Sequence, residues 1–599
     1  MSFDGQKDKV GREPNYLVEL DLDRCSWTYG VGTCTANGGA GAQCYNTLET
    51  CQVPSVYAQR LPTGNGPLVV KFSRADAAPI FIDSTPIAPA VKSVNIAPTK
   101  LAPGRGLSSR SRVDIQLIDF TDNDLQTDPY AADRNYIATD QGTFFGKLFA
   151  RNPHYVGRAL RVKLGYFNDD GSADSTNFDR VYNYIIDRID GPDANGVVKI
   201  IGKDVLSLTE ALKTKIPEAS TGTLESDVSH GGSSHIDLQD GEAVDYPAPG
   251  VVRIGDELIA YTTSDTATDR LSGLTRGYGG SPSHSAGEVH EAGESVQLCL
   301  EYGFSSTQRV DAVVADLLTT YAGIPASAIT TADWTAEANQ WLTNYNLQNI
   351  ISEPTELNKL LDQICVECGV DIWVDDVANK IRFKAQVPTT AENDCIGDNV
   401  ILRNKASIQH QVKDRLSQVY FYTGKRNQAG SRSEVGNYTN VVARVDVNSE
   451  GANEYNQKGI KKVFCQWVQG SALAGQQATR LLNRYKVPPI MVKADIDISQ
   501  TQYATGDLFD ICTELYQSVT GEAQTREMQM LSTQVDAARQ VIKIEALQFL
   551  SSVGRPAFIT PNGTAPYTTA LGDANPTYSW ISDSTTNLMP NGDNGYEII

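Results

Sequence analysis

Four of the ten cysteines in this 599-residue chain, Cys25, Cys34, Cys44 and Cys51, fall within 27 residues. Gly30, Gly32, Gly38, Gly39 and Gly41 lie between them, so the backbone can wrap tightly around a small object. Trp27 and Tyr29 are placed to shield one side of it from water. Thiols crowded in this way hold a metal or an iron–sulfur cluster, form a pair of disulfides, or are four unrelated buried thiols. The intervening segments hold eight, nine and six residues. A structural zinc site brings its ligands in as closely spaced pairs, and no such pair occurs here. An iron–sulfur cluster is larger and accepts thiolates from widely spaced loop positions. Disulfides need an oxidising compartment. Met1 to Pro14 is polar and charged and lacks the apolar core of a secretory signal. The expectation is a chain folded in a cytoplasm, where thiols stay reduced, and this favours the cluster.

The remainder reads as β-rich scaffold. A chain of this length exceeds one core, so several domains are expected. The formal net charge of −21 argues against a nucleic-acid-binding surface, which needs Lys and Arg for phosphate contacts. No apolar run reaches the length of a membrane span. Strand patterns occupy Leu68–Phe72, Arg112–Phe120, Ala159–Tyr166, Arg180–Ile189 and Gly196–Gly202, with Pro79, Pro86, Pro89, Pro98 and Pro103 as punctuation. Helices are expected at Thr143–Arg151 and, briefly, at Asp204–Lys213. The stretch 219–241 is rich in Ser, Gly, Asp and Thr and reads as a loop or linker. Gly250–Tyr261 follows as a hairpin. Next come helices at Arg309–Tyr321 and after Pro354, then a hairpin of Asp371–Asp375 with Lys380–Lys384. Strands at Leu416–Tyr422, Asn440–Asp446, Ile490–Ile498, Leu508–Cys512, Met528–Val535 and Gln540–Leu547 surround one long helix, Ala472–Tyr485. Cys365 and Cys368 continue an apolar helical stripe and read as core rather than as a redox pair. Cys299, Cys395, Cys465 and Cys512 read as core filler. His284 and His290, without a third ligand, read as surface residues.

The run from Leu22 through Cys25-Ser-Trp-Thr-Tyr-Gly to Cys34, Cys44 and Cys51 resembles the cysteine motif of tailed-bacteriophage tail tip proteins. It is similar to the iron–sulfur domain of the lambda-type tail tip protein and of related hub proteins from siphophages and gene transfer agents. The outer spacings match that pattern. The middle gap is shorter, and the motif stands near the N-terminus. The resemblance implies a 4Fe–4S cluster on Cys25, Cys34, Cys44 and Cys51. It also implies a mainly β, multidomain fold with α+β modules, in which tail-tube-like β-barrel hub domains accompany a small four-cysteine iron–sulfur domain. The expected boundaries are 1–62 for the iron–sulfur domain, 63–218 for a first tube-like hub domain and 219–300 for a small β insert with its linker. An α+β hub module at 301–390, a second tube-like barrel at 391–553 and an extended segment at 554–599 complete the chain. The Gly250–Tyr261 hairpin with Leu271–Gly280 looks like an insert recurrent in phage tail proteins.

By the same resemblance the chain is a structural virion protein of the tail tip or baseplate, assembled in the host cytoplasm. Its expected partners are two further copies in a homotrimer, the distal tail protein ring, the tape measure protein and a central tail fibre or tip protein. Genomic DNA would pass through its lumen without specific binding, and the host envelope would be met indirectly. The tail from Gly554 to Ile599 is expected to lie across a neighbouring subunit or ring, since such a sequence buries too little to fold alone. No nucleophile elbow, His-Glu-x-x-His pair or phosphate-cradling loop is present, so no enzyme is expected. Two rival functions are a cell-wall hydrolase fused to a hub and a stand-alone redox iron–sulfur protein.

Overall fold

The computed structural model describes residues 3–8, 14–37, 43–58, 68–74, 81–82, 85–124, 127–168, 173–210, 215–229, 233–283, 288–375, 377–387 and 394–549. Gly38, Gly39, Gly41, Pro79, His284, residues 211–213 and the segment 554–599 lie outside them.

Seven strands close a barrel: β1 (Asn15–Leu22), β2 (Leu68–Arg74), β3 (Ala88–Ala97), β4 (Arg112–Ile118), β5 (Ala159–Gly165), β6 (Arg180–Asp190) and β7 (Val197–Lys203). Their spatial order is β1-β2-β3-β4-β7-β6-β5, and β5 pairs back onto β1. Leu20 stands opposite both Val70 and Leu160. The period of two explains the closure. Val113, Ile115 and Leu117 of β4 are fully buried in the barrel core, while Arg112 and Asp114 between them pair on the outside. On β1, Val18, Leu20 and Leu22 point inward and Glu19 and Asp21 meet Arg161 of β5 on the other face.

The crossover from β4 to β5 carries α1 (Phe144–Arg151). Its Phe144, Phe145 and Leu148 join the barrel core, and the Phe145 ring stacks on Phe72 at 5.8 Å. Each such buried aromatic is worth about 2 to 3 kcal/mol. The flank of the same helix carries Lys147 and Arg151, also buried, which matter below. The short helix expected at Asp204–Lys213 is a 3-10 turn, Val205–Glu210, over the residues described.

A small β unit follows, built on β8 (Gly250–Ile254), β9 (Glu257–Tyr261) and β10 (Val296–Tyr302), with Val252 opposite Ile259 and Leu298. The stretch expected as a linker contributes Leu224, Val228, Ile236 and Leu238 to its core. Then come α2 (Val310–Asp316), continued by one π turn to Tyr321, α3 (Thr331–Trp341), α4 (Leu357–Cys368) and the hairpin β11 (Val370–Asp375) with β12 (Lys380–Ala385). Cys365 and Cys368 sit in this core as expected, and burial pushes both thiols well up from their ordinary range.

Beyond residue 394 the chain builds β13 (Cys395–Gly397), β14 (Ile401–His410), β15 (Gln418–Lys425), β16 (Tyr438–Val445), β17 (Ile460–Phe464) and α5 (Ser471–Tyr485). The last strands are β18 (Ile490–Asp497), β19 (Leu508–Gln517), β20 (Ala523–Asp536) and β21 (Val541–Gln548). Six of these form one sheet in the order β13-β19-β20-β21-β18-β14. It is a half-barrel: β13 spans only three residues, and β14 has β18 as its one neighbour. One face packs Val492, Ala494 and Ile496 with Phe3 of the short N-terminal helix Phe3–Gln6 and with Leu164 and Tyr166 at the end of β5. The other sends Leu531 and Leu547 into the helical core.

Two expectations about cysteines are corrected here. Cys395 is exposed and is disulfide-bonded to Cys512, with Cα atoms 6.0 Å apart. They are not core filler, because parallel pairing of β13 with β19 sets Gly397 opposite Cys512 and leaves Cys395 two residues away at the sheet edge. Cys299 and Cys465 are buried as expected.

The loop joining β3 to β4 ties the barrel to the helical core. Leu107 N–H donates to Asp362 of α4 at 2.9 Å, and a Cβ on Gly106, at φ +135, would strike that same carboxylate at 1.8 Å.

Candidate functional site

Immediately after β1 the chain leaves the barrel and turns through the cysteines. Cys25 is buried, and its N–H donates to the Asn46 carbonyl at 2.7 Å, which clips the first cysteine to the turn two residues after the third. Ser26 N–H donates to the Ala58 carbonyl at 2.9 Å and closes the loop on itself. Gly30 and Gly32, at φ +67 and +65, supply the left-handed turns that bring Cys34 back. Gly30 N–H then points at the Cys34 sulfur, 3.4 Å away. The Cys34 and Cys51 N–H groups each close a tight turn, onto Val31 and Leu48 at 3.3 and 3.1 Å. The Cys44 thiol donates to Asn46 Oδ1 at 3.5 Å, and Asn46 itself takes the left-handed conformation at φ +57.

Burial raises the Cys44 thiol above its ordinary range, and charge on Cys51, Cys25 and Cys34 adds to the rise. The Tyr57 hydroxyl is pushed up to about 12, by burial first, then by Asp23, Cys25 and Cys51. None of the four thiols is in a disulfide. Among the described residues no set of three or more His, Cys, Asp or Glu side chains converges closely enough for a single metal ion. Cys34 already accepts a backbone N–H, the kind of hydrogen bond that a ligating thiolate takes. The Trp27 indole donates to the Val56 carbonyl at 3.1 Å and stands half-buried on the flank.

The loop is bolted to the barrel through residues that sequence reasoning passed over. Arg134 donates to the carbonyls of Gln43 at 2.6 Å and Cys44 at 3.2 Å, and it pairs with buried Asp128 at 2.7 Å. The Tyr45 ring lies between two guanidiniums, 4.0 Å from Arg134 and 3.9 Å from Arg151. Its hydroxyl meets that of Tyr136 at 3.0 Å, and Tyr136 donates to Asp124 at 3.2 Å. Asp124 also holds Arg151 at 2.9 Å and Lys147 at 3.2 Å. Burial opposes the Asp124 charge, but Arg151 and Lys147 outweigh it and hold the carboxyl below its usual range. Neighbouring Asp122 takes the opposite shift, up to about 6, through burial and the Asp124 charge. Tyr29 makes a second anchor, its N–H donating to the Tyr130 hydroxyl at 2.9 Å. The signal in the sequence was slight: Tyr45 follows Cys44 directly, but nothing ties it to a crossover some ninety residues on.

A second polar cluster corrects the reading of His290 as a surface residue. His290 is 2% exposed and its Nε2 lies 2.9 Å from Glu257, with Nδ1 3.3 Å from Glu294. Arg276 adds a two-pronged pair to Glu257, and Gly277 N–H donates to it at 3.0 Å. Every Glu257 oxygen is thus committed within the small β unit, so the cluster reads as a buried tie.

No protein-family model matches this chain, and no curated protein matches it. Several solved structures are similar. The 43 kDa tail protein of prophage MuSo2 from Shewanella oneidensis is 11% identical, with a TM-score of 0.34, 76% of this chain covered and 97% of that one. A tail protein from Neisseria meningitidis MC58 gives 10% identity and a TM-score of 0.36 over 77% of this chain and 96% of its own. The virion of a native gene transfer agent particle contains a chain 10% identical, with a TM-score of 0.28 over 79% and 86%.

Proposed function

We propose that this chain is a structural tail tip or baseplate hub subunit of a phage-type tail, with a 4Fe–4S cluster held by Cys25, Cys34, Cys44 and Cys51. The observation that carries the reading is that one loop, docked onto a closed barrel, holds four thiols that are in no disulfide. When bound, such a cluster supplies four strong iron–thiolate bonds that cross-link the loop. The protein's own part is positional. Asn46 and Gly30 aim Cys44 and Cys34, burial shields Cys25, and Arg134 fixes the Cys44 carbonyl against the barrel. A staple role is the reading these anchors support, since each of them joins the loop to the fold.

The closed barrel and the half-barrel support the hub assignment as two tube-like bodies in one subunit. In that role three copies would join the distal tail ring above to a central fibre below, with the tape measure protein reaching the lumen. The net charge of −21 supports a channel that genomic DNA traverses without adhering. The deciding experiment is an anaerobic purification with visible absorbance, iron and acid-labile sulfide counts on the wild type and Cys44→Ser. Equal amounts of iron and sulfide, lost in the variant, are expected. Iron-free wild-type protein overturns the cluster. Protein that stays monomeric and joins no ring with its distal tail neighbour overturns the hub.

A further inference from the structure

Lys425, the last residue of β15, is half-buried, and among the described residues its amine meets two carbonyl oxygens and no carboxylate. It donates to the Gln428 backbone carbonyl at 2.9 Å and to the side-chain amide oxygen of Gln466 at 3.0 Å. Glu367 and Glu353 attract it and Arg432 and Arg253 repel it, all from beyond ion-pair distance. Burial, with Arg432 next, pushes the amine down to about 8, so far more of it is uncharged near neutral pH than of a surface lysine. An uncharged amine is a nucleophile.

Gln466 is fixed in front of it. This residue is 8% exposed and follows β17, the strand that runs parallel to β15 with Phe464 opposite Tyr422. Its backbone N–H donates to buried Glu367 at 2.8 Å. Its side-chain nitrogen donates to the Tyr438 hydroxyl at 2.9 Å, and that hydroxyl donates in turn to the Arg432 carbonyl at 2.9 Å. Tyr438 is itself held against Phe464, ring centroids 5.7 Å apart, and Tyr422 stacks on Phe464 at 4.6 Å. The amide therefore turns its oxygen to Lys425, and its carbon lies one C=O bond, about 1.2 Å, beyond that oxygen. Reacting groups fixed this close gain the effective molarity of an intramolecular step.

We propose that Lys425 and Gln466 close an intramolecular isopeptide bond. The lone pair of Lys425 Nζ attacks Gln466 Cδ and a new C–N bond forms. The bond from Cδ to Nε2 breaks, and Nε2 leaves as ammonia with a proton from the amine. The step balances without an oxidant or a second reactant. Tyr438 is a positioning residue, acting through the amide it orients. The bond would tie β15 covalently to the chain entering α5, whatever the cysteines hold.

The intact mass of the full chain, reduced and denatured, tests this. The wild type should weigh one ammonia less than its sequence requires. Trypsin should release a branched peptide joining residues 416–426 to 463–480, since a blocked Lys425 is no longer cut. Lys425→Arg and Gln466→Met should each restore the full mass and the two separate peptides. Tyr438→Phe, which frees the amide to turn, should leave a several-fold larger unlinked fraction. Linkage at the wild-type level in that variant overturns the positioning role. A wild-type chain of full mass overturns the proposal, and so does an ammonia loss that maps outside these two peptides. A bond between two chains, seen as a dimer on a denaturing gel, overturns closure within one molecule.

Discussion

The Tyr45 ring lies 4.0 Å from the Arg134 guanidinium, although one residue belongs to the cysteine loop and the other to the barrel crossover. Arg151 covers the ring from a second position, 3.9 Å away. This contact joins the candidate cluster site to the barrel. Tyr45→Leu keeps bulk but removes the π face and the hydroxyl bond to Tyr136. Two partly desolvated cation–π contacts predict a loss of about 2 kcal/mol in the docking of the loop. Hydrogen exchange over residues 43–51 should quicken, with the barrel's own exchange unchanged. Unaltered exchange in the loop would remove the anchor from the account.

Glu367 makes a related prediction in the helical core. It is fully buried, and its two oxygens accept N–H groups from Gln466, Trp467 and Val468 at 2.8, 2.8 and 3.1 Å. Burial pushes the carboxyl up to about 7 in spite of those donors. Glu367→Gln turns one acceptor into a donor facing another donor. The expected cost is about 2 kcal/mol, the usual penalty for a buried polar group left unmatched. Urea unfolding followed at Trp467 measures it, and a cost under about 0.5 kcal/mol would mean that the N–H groups find other partners.

These two sites show what the sequence could and could not convey. Alternation in Arg112–Ile118 and the leucine spacing of Leu357–Cys368 report burial directly, and both elements stand where they were expected. The cysteine quartet stands out in the sequence because its members are neighbours in the chain. Arg134, Arg151, Asp124 and Tyr136 do not, because a charged residue reads as surface until folding places its partner. His290 failed for the same reason, its partner Glu257 lying 33 residues earlier. The stretch 219–241 misled through composition, since its few apolar residues, Leu224 and Ile236 among them, are the ones that enter the core. The half-barrel looked like a second barrel because strand patterns carry no record of whether the last edge finds the first.

The Cys395–Cys512 bond predicts a defined thiol count. Eight cysteines are free, so alkylation of the denatured, unreduced protein should label eight of ten, and reduction should release the other two. The bond closes a separation of 117 residues. In the chain-entropy account a loop that long stabilises by as much as about 5 kcal/mol. Cys395→Ser should lower the urea midpoint of oxidised protein and leave reduced protein unmoved. Ten labelled cysteines in protein never exposed to reductant would show that the pair does not close in solution.

The Glu257 cluster fixes an acid limit for the small β unit. Burial disfavours the Glu257 charge, but hydrogen bonds from Arg276, His290 and Gly277 reverse that and take the carboxyl from 4.5 down to about 2. A carboxyl held lower in the folded than in the unfolded state stabilises fully above the unfolded value. Its contribution therefore holds above about pH 4.5 and fades as pH falls toward 2. Exchange protection at Leu258, Ile259 and Val296, the core next to the cluster, should drop through that window while the barrel core keeps its own profile. Glu257→Gln leaves Arg276 buried without its partner, at an expected cost of about 3 kcal/mol at neutral pH. It should also flatten the acid limb, since the titrating group is gone. A variant that keeps the wild-type acid profile would place the sensitivity elsewhere, with the Asp122–Asp124 pair under the cysteine loop as the next carboxylates to replace.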